Sequence, residues 1–255
     1  MNKFSIVMAI VVIGFVGVLF AITGDNERVQ ADPSNHIIGE GTSGVTLIEY
    51  GDFQCPACAE YFPIINAVKS VYDDEISFQF RHFSLFGSFP NSMAAHLAAE
   101  SAGNQGEFFA MHDLLFERHS DWTASNNARE IFEGYAEELE LDMDQFRADY
   151  SDSETRAVIN ADLEAGREKG VTGTPTFFIN DQRIQNPQSP NEFFEIIDGF
   201  IEEETGAPSR NSPLNMGNGD DINGIDQFNG SGSEAVLPED FDVEALLEQS
   251  EDTSE

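Results

Sequence analysis

Cysteine is scarce in this sequence, which has 255 residues and only two cysteines, Cys55 and Cys58. A small exported protein held together by several disulfide bonds would carry more of them. A tetrahedral zinc site needs about four ligands, and the five histidines form no closely spaced pair that would complete one. A structural disulfide across so short a loop would constrain little chain entropy. These alternatives and two unrelated buried thiols stay open beside a dithiol that is alternately oxidised and reduced.

Basic residues are also few: 12 Lys and Arg stand against 47 Asp and Glu, for a formal net charge of −35. This balance argues against binding to nucleic acid or to an anionic membrane surface. Only three of the 12 bases are lysine. Concentrated salt screens repulsion between surface carboxylates, so the sequence predicts a protein that works at high salt. The alternative is that the acids repel wrong partners or attract basic client proteins.

Charged residues are absent from Phe4 to Ile22, a run of 19 residues that follows a single lysine. As a helix this run would be about 28 Å long, close to the hydrocarbon thickness of a bilayer. It exceeds the apolar core of a typical secretory signal, about 7–15 residues. We therefore expect residues 1–23 to form an uncleaved signal-anchor, with a cleaved signal peptide as the alternative. Either way the remainder is exported to a space where disulfides form.

The order of the remaining elements predicts an α/β protein with an all-helical insertion. We expect a polar linker over 24–44, a domain over 45–206 with helical periodicity over about 91–169, and an acidic tail over 207–255. The tail has too few apolar residues to order itself, so disorder is expected there. Apolar or alternating runs predict strands over 45–50, 76–83, 174–180 and 182–184, and helical spacing predicts helices from Pro56 and over about 190–203.

The two cysteines lie where a predicted strand gives way to a predicted helix. The strand ends near Tyr50, and Pro56 suits the first helical position, so Cys55 falls at the helix N-cap. Unpaired N–H groups and the helix dipole stabilise an anion there, which lowers the pKa of a thiol. The thiolate is the attacking species in disulfide exchange. Cys58, one turn later, is placed to resolve a mixed disulfide.

Two further features fit this chemistry. Glu49 interrupts the apolar strand, either as an outward-facing acid or as a buried carboxylate of raised pKa that relays protons to Cys58. Thr174-Pro175 precedes the next apolar strand and is a candidate cis peptide, with an ordinary trans turn as the alternative. Beside the dithiol, a cis proline would leave the Thr174 backbone free to pair with an extended substrate strand.

Four stretches match a known pattern: "EYGDFQCPAC" (49–58), "RHFSLF" (81–86), "MAAHLAAESAGNQGEFFAMHDLLF" (93–116) and "GVTGTPTFFIN" (170–180). Over roughly residues 36–203 the chain resembles the DsbA-like thiol–disulfide oxidoreductases, in particular their membrane-anchored group. The resemblance implies a thioredoxin-like fold with a helical insertion, and no metal or other cofactor. It also implies Cys55 as the nucleophile, Cys58 as the resolving thiol, Pro175 as the cis-proline and Glu49 as the buried acid.

The resemblance further implies a membrane-tethered enzyme that donates its disulfide to folding exported proteins and is reoxidised by a membrane redox partner. One departure from the family pattern bears on the direction of electron flow between the dithiol and its substrates. Pro56-Ala57 stands between the cysteines, where the strongly oxidising bacterial member has Pro-His. A reductase or isomerase using the same dithiol is therefore an alternative, as is a redox-inert tethered peptide-binding module. No role falls to four residues that we expect to be packing or surface positions: His82, His96, His112 and Trp122.

Overall fold

A five-stranded mixed sheet lies at the centre of residues 31–214, the part of the chain that the computed structural model describes. The strand order is β1-β3-β2-β4-β5. Strands β2 and β3 are parallel, and the other neighbouring pairs are antiparallel. The strands are β1 (His36–Ile38), β2 (Val45–Gly51), β3 (Ile76–His82), β4 (Thr176–Ile179) and β5 (Gln182–Arg183).

Eight helices lie in the same described segment, and six of them fall between β3 and β4. The first helix connects the parallel strands β2 and β3, as a parallel pair requires, and the last follows β5. The predicted insertion is thus helical from residue 92 to residue 168. The helices are α1 (Pro56–Val71), α2 (Ser92–Gly103), α3 (Phe108–Glu117), α4 (His119–Trp122), α5 (Ala128–Glu138), α6 (Met143–Ser151), α7 (Ser153–Glu168) and α8 (Pro190–Thr205).

The core forms where apolar side chains of the central strands meet those of the helices. Val45 and Leu47 on β2 are fully buried, as are Val68 on α1 and Ile197 on α8. Helix α1 packs against α8, and α2 packs against α3, α5 and α6. The predicted α/β fold with an all-helical insertion is therefore confirmed.

The packed domain extends beyond the predicted 45–206 in both directions. Strand β1 lies within the segment expected to be a linker, and it pairs with β3. Ser209 and Ser212, in the segment expected to be a tail, are buried, and the Ser209 hydroxyl donates to the Glu75 carboxylate at 2.7 Å. The expected anchor over 1–23 and the rest of the expected tail, 215–255, lie outside the described residues. Among residues 31–214, no helix is both long and apolar enough to cross a membrane.

The N-cap residues of two helices differ in their hydrogen bonds: one side chain bonds to its own helix, and the other bonds to distant residues. Asp142 caps α6, since its carboxylate accepts from the N–H groups of Asp144 and Gln145. The N–H of Asp142 donates to Gln105 Oε1 at 2.8 Å, so a distant residue completes this end of the helix. Asn91 stands at the N-cap of α2, but its side chain makes no capping bond there. The Asn91 amide donates instead to the carbonyls of Trp122 and Ser125 in the helical insertion.

Candidate dithiol site

Cys55 is the N-cap residue of α1, as the sequence predicts. Strand β2 ends at Gly51, a short loop follows, and Pro56 opens the helix. The Cys55 backbone is extended, with φ −70° and ψ 121°. Its side chain is 6 % exposed, and that of Cys58, one turn into the helix, is 1 % exposed. Both are free thiols and both are buried, Cys58 more completely than Cys55.

The helix start makes Cys55 strongly acidic. The hydrogen bond with the Cys58 thiol is the largest cause, and the side chain of Thr174 and the N–H groups of Ala57 and Cys58 add to it. Partial burial opposes these contacts, yet the pKa of Cys55 falls from 9.0 to about 5. Hydrogen bonds to the charged form are the expected cause of such a shift. At neutral pH, Cys55 in the dithiol is therefore a thiolate.

Cys58 shifts in the opposite direction. Burial raises its pKa well above 9.0, and the neighbouring charges of Cys55 and Glu49 raise it further. A buried thiol among negative charges holds its proton because the thiolate would be poorly solvated there. The site therefore combines an accessible thiolate with a protected thiol, which suits two successive exchange steps.

Glu49 lies inside the fold behind the dithiol. It is on β2, the central strand, opposite Phe80 on one side and Phe177 on the other. Only 3 % of it is exposed, which excludes the outward-facing alternative, and its Oε1 has no hydrogen-bond partner among the described residues. Burial raises the pKa of Glu49 to about 8, although the charge of Lys69 opposes the shift. Glu49 can therefore gain and lose a proton near neutral pH.

Lys69 is a site residue that the sequence reasoning missed. Its side chain, on α1, is 15 % exposed, and its Nζ lies 3.9 Å from Asp113 Oδ1. Burial lowers its pKa, while the negative charges of Asp113 and Glu49 raise it. A signal was present, because Lys69 follows the buried Ile65 by four residues and so lies on the same face of α1. The lysine gives the Glu49 carboxylate a neighbouring positive charge and connects it to a partly exposed acid.

Thr174 and Pro175 reach the dithiol from the start of β4. The Thr174–Pro175 peptide is cis, so the trans alternative is excluded. The Cys55 Sγ–H donates to the carbonyl oxygen of Thr174 at 3.5 Å. The Pro175 carbonyl accepts from the Asn186 side chain at 2.8 Å. The structure thus brings the predicted peptide-binding segment into contact with the predicted nucleophile.

Asp52 is a second residue that sequence reasoning missed. It is fully buried in the loop before Cys55, and burial raises its pKa. Its carboxylate accepts from the N–H of Gln54 at 2.8 Å, the N–H of Leu85 at 2.6 Å and the hydroxyl of Ser92 at 2.7 Å. The first bond lies within the dithiol loop, and the other two join that loop to the segment after β3 and to the start of α2. Asp52 therefore fixes the approach to the helix N-terminus.

The four residues left without a role are all buried: His82, His96, His112 and Trp122. Of the two expectations, packing and surface positions, burial supports packing for all four. His82 and His96 also belong to a buried polar cluster separate from the dithiol contacts described above.

The family model described as thioredoxin matches residues 31–199 of this chain. Three solved structures have a similar fold, each less than 25 % identical in sequence. Oxidised BdbD from Bacillus subtilis is 22 % identical with a TM-score of 0.60, covering 69 % of this chain and 100 % of that one. A thioredoxin-like oxidoreductase from Silicibacter pomeroyi is 24 % identical with a TM-score of 0.55, covering 69 % and 97 %. Alpha-DsbA1 from Wolbachia pipientis is 20 % identical with a TM-score of 0.59, covering 70 % and 96 %.

Curated relatives match at higher identity but over a small part of their own length. The Na(+)/H(+) antiporter NhaA 1 of Salinispora arenicola is 36 % identical over 156 residues, covering 61 % of this chain and 23 % of the antiporter. NhaA 3 of Salinispora tropica is 36 % identical over 160 residues, covering 62 % and 24 %. This chain spans about a quarter of the length of these relatives. The family match and the solved structures confirm the resemblance to the DsbA-like proteins and the predicted thioredoxin-like fold.

Proposed function

Because the chain belongs to the thioredoxin family, we propose that it is an extracytoplasmic oxidoreductase that donates the Cys55–Cys58 disulfide to folding exported proteins. The opposite pKa shifts of the two thiols carry the proposal. Cys55 titrates near pH 5, whereas Cys58 holds its proton to well above pH 9. A structural pair of thiols has no need of such a difference, but a nucleophile with a resolving partner depends on it.

The exchange takes two steps. A substrate thiolate attacks Cys55 Sγ of the disulfide, a substrate–Cys55 sulfur bond forms, and the Cys55–Cys58 bond breaks with its electron pair on Cys58. A second substrate thiolate then attacks the substrate sulfur of the mixed disulfide and releases Cys55 as a thiolate. The substrate is oxidised by two electrons and the enzyme is reduced by two. Of the two protons that the substrate thiols give up, one ends on Cys58, and the other leaves to solvent.

The direction of electron transfer between the dithiol and its substrates follows from the low pKa of Cys55. A low pKa makes Cys55 a good leaving group and stabilises the reduced enzyme, which makes the disulfide form more oxidising. The Cys58 thiol supplies most of this stabilisation, and the Thr174 side chain and the N–H groups of Cys58 and Ala57 add to it although the Ala57 side chain carries no charge. These contacts favour a donor over a reductase.

Glu49 takes the role of proton relay in this proposal. Its pKa of about 8 lets it give a proton to the Cys58 sulfur when the disulfide opens, and take it back on reoxidation. Lys69 and the partly exposed Asp113 extend the path outward. The raised pKa and the unpartnered Oε1 atom of Glu49 support this assignment.

Thr174 and Pro175 are the proposed substrate contacts. An extended peptide that lies along Thr174 would form main-chain hydrogen bonds beside the Cys55 sulfur, independent of its side chains. Recognition of the main chain alone suits an enzyme that binds many unfolded proteins of different sequence. The membrane tether and the membrane partner that reoxidises the dithiol complete the proposal, supported by the uncharged run from Phe4 to Ile22.

Thiol alkylation of the protein in its own cells tests the function. Acid quenching followed by a mass-tagged alkylating reagent separates the oxidised from the reduced chain, with Cys55→Ser and Cys58→Ser as the markers for a single free thiol. A mostly oxidised pair supports the donor, and a mostly reduced pair assigns the dithiol to a reductase. Labelling that does not respond to redox buffers would leave only the inert peptide-binding module.

A further inference from the structure

A cluster of metal-ligating side chains lies at the edge of the sheet, outside the dithiol site. His36 is on the edge strand β1, His82 ends β3, and Glu100 is on α2. Nε2 of His36 and Nε2 of His82 lie 2.7 Å and 2.6 Å from the same carboxylate oxygen, Glu100 Oε1. The three ligand atoms all lie within 4.8 Å of one another. Three separate elements thus direct two imidazole nitrogens and one carboxylate oxygen at one point.

The ligand types and their spacing suit a zinc-class cation. Zinc binds His nitrogen and Glu oxygen at about 2.0–2.2 Å, which places neighbouring ligand atoms of a tetrahedral site about 3.3 Å apart. Lengthening the two observed contacts by about 0.6–0.7 Å would open them to that spacing. Two histidines and one glutamate are also a known set for sites that keep one position open.

The surroundings of the cluster hold two of its rings in place. Nδ1 of His82 lies 2.6 Å from Nδ1 of buried His96, the outer hydrogen bond that orients a ligating imidazole. The His36 ring stacks on Phe108, with 3.6 Å between the ring centroids. A Cβ atom at Gly103 would lie 2.8 Å from His36 Cε1, so a glycine is what allows α2 to approach the ring this closely. His36 and His82 are therefore preorganised before any ion binds.

An entry path reaches the cluster from solvent. The His36 side chain is 18 % exposed, whereas that of His82 is fully buried. A cavity of about 320 Å³ opens beside His36 and is lined by Gly103, Glu107 and Phe108 among others. An ion would enter from this cavity and keep a water molecule on that side.

From this geometry we propose that His36, His82 and Glu100 form a binding site for one divalent transition-metal ion of the zinc class. The ion joins β1 to β3 and α2 and so fastens the edge strand that begins the described domain. A bound ion that has no affinity for the unfolded chain stabilises the fold. The proposal does not rest on the dithiol chemistry.

Cobalt titration of the full-length chain in detergent tests the site. The protein is stripped of metal and kept oxidised, so that Cys55 and Cys58 offer no thiolate. We expect Co²⁺ to give visible d–d absorption that saturates at one ion per chain, and Zn²⁺ to displace it. Zn²⁺ should also raise the melting temperature.

Matched variants separate the site from the acidic surface. Glu100→Gln keeps an acceptor for both histidines but removes the charge, and His36→Asn removes the one partly exposed histidine ligand. Each should weaken Co²⁺ binding at least about tenfold. His119→Asn is the control, since the His119 ring packs on Trp122. Circular dichroism checks that each variant is folded. The titration of the wild type tests the proposal even if a variant does not fold. Absence of saturable binding in the wild type, or equal binding by Glu100→Gln and the wild type, would overturn the proposal.

Discussion

At the scale of single residues, the difference between the two sulfurs is the central feature. Cys55 is acidic and reachable, whereas Cys58 is buried and holds its proton. We predict that Cys58→Ser traps client proteins on Cys55 as mixed disulfides, because the resolving thiol is gone. Cys55→Ser should trap none. Non-reducing gels of the two variants expressed in the same cells give the comparison, and adducts on Cys55→Ser alone would reverse the assignment.

Glu49 gives the site a second titration near neutral pH. Its folded-state pKa of about 8 lies above the ordinary 4.5, so the folded state favours the neutral carboxyl. Stability from this preference is complete below about pH 4.5 and is lost as the pH rises through 8. Glu49→Gln mimics the neutral form. We predict that its free energy of unfolding equals that of the wild type in acid and exceeds it increasingly as the pH rises towards 8.

The same variant also separates a proton relay from a merely buried acid. Glu49→Gln cannot take or give a proton, so reoxidation of the dithiol should slow, mostly near neutral pH, in a domain that remains folded. Stopped-flow reoxidation across the pH range measures this effect. An unchanged pH–rate profile would leave Glu49 with a packing role only.

Among the elements, α1 stabilises the Cys55 thiolate, on which the reduction potential of the dithiol depends. Its N-terminal N–H groups stabilise the Cys55 thiolate, but Ala57 adds no positive charge of its own. We therefore predict a reduction potential between about −270 mV, the thioredoxin value, and about −120 mV, the DsbA value. Equilibration with glutathione buffers measures it. A potential at or below that of thioredoxin would favour the reductase.

The loop that leads into α1 depends on Asp52. Asparagine at this position has one acceptor oxygen in place of two and would turn an amide towards the Leu85 N–H or the Ser92 hydroxyl. We predict that Asp52→Asn lowers the free energy of unfolding by about 1–3 kcal/mol. Exposed Asp73 offers a matched control, and Asp73→Asn should change little. Equal urea midpoints for both variants would contradict the role given to Asp52.

Local signals predicted the elements that carry the reaction. A strand end, a proline at the first helical position and an N-cap between them are neighbours in sequence, so the placement of Cys55 followed from residues 50–56. The cis proline and the buried Glu49 were each one of two open alternatives. Asp52, Lys69 and the cluster of His36, His82 and Glu100 were missed, because their partners lie far away in the chain. Strand β1 was read as a linker for the same reason, since only pairing with β3 makes it a strand.

For the whole molecule, the charge of −35 is the property that thiol chemistry does not require. The screening length is about 3 Å at 1 M salt and about 10 Å at 0.1 M, so carboxylate repulsion is nearly removed at high salt. We predict that residues 31–214, the packed part of the chain, melt at a markedly higher temperature in molar sodium chloride. Calorimetry at low and molar salt measures the difference. A flat or falling melting temperature would contradict adaptation to high salt.

The amide of Gln54, the residue just before Cys55, has an optical consequence. Its Nε2 donates to the carbonyl of Thr123 at 2.7 Å, and its Oε1 accepts from the N–H of Asn91 at 2.7 Å. Asn91 in turn donates to the carbonyl of Trp122, the sole tryptophan of the chain. The indole is buried and anchored through its N–H to Leu115. A movement of the Cys55 loop on disulfide formation is therefore transmitted through these hydrogen bonds to Trp122. The tryptophan fluorescence of the unlabelled protein should then differ between its oxidised and reduced forms.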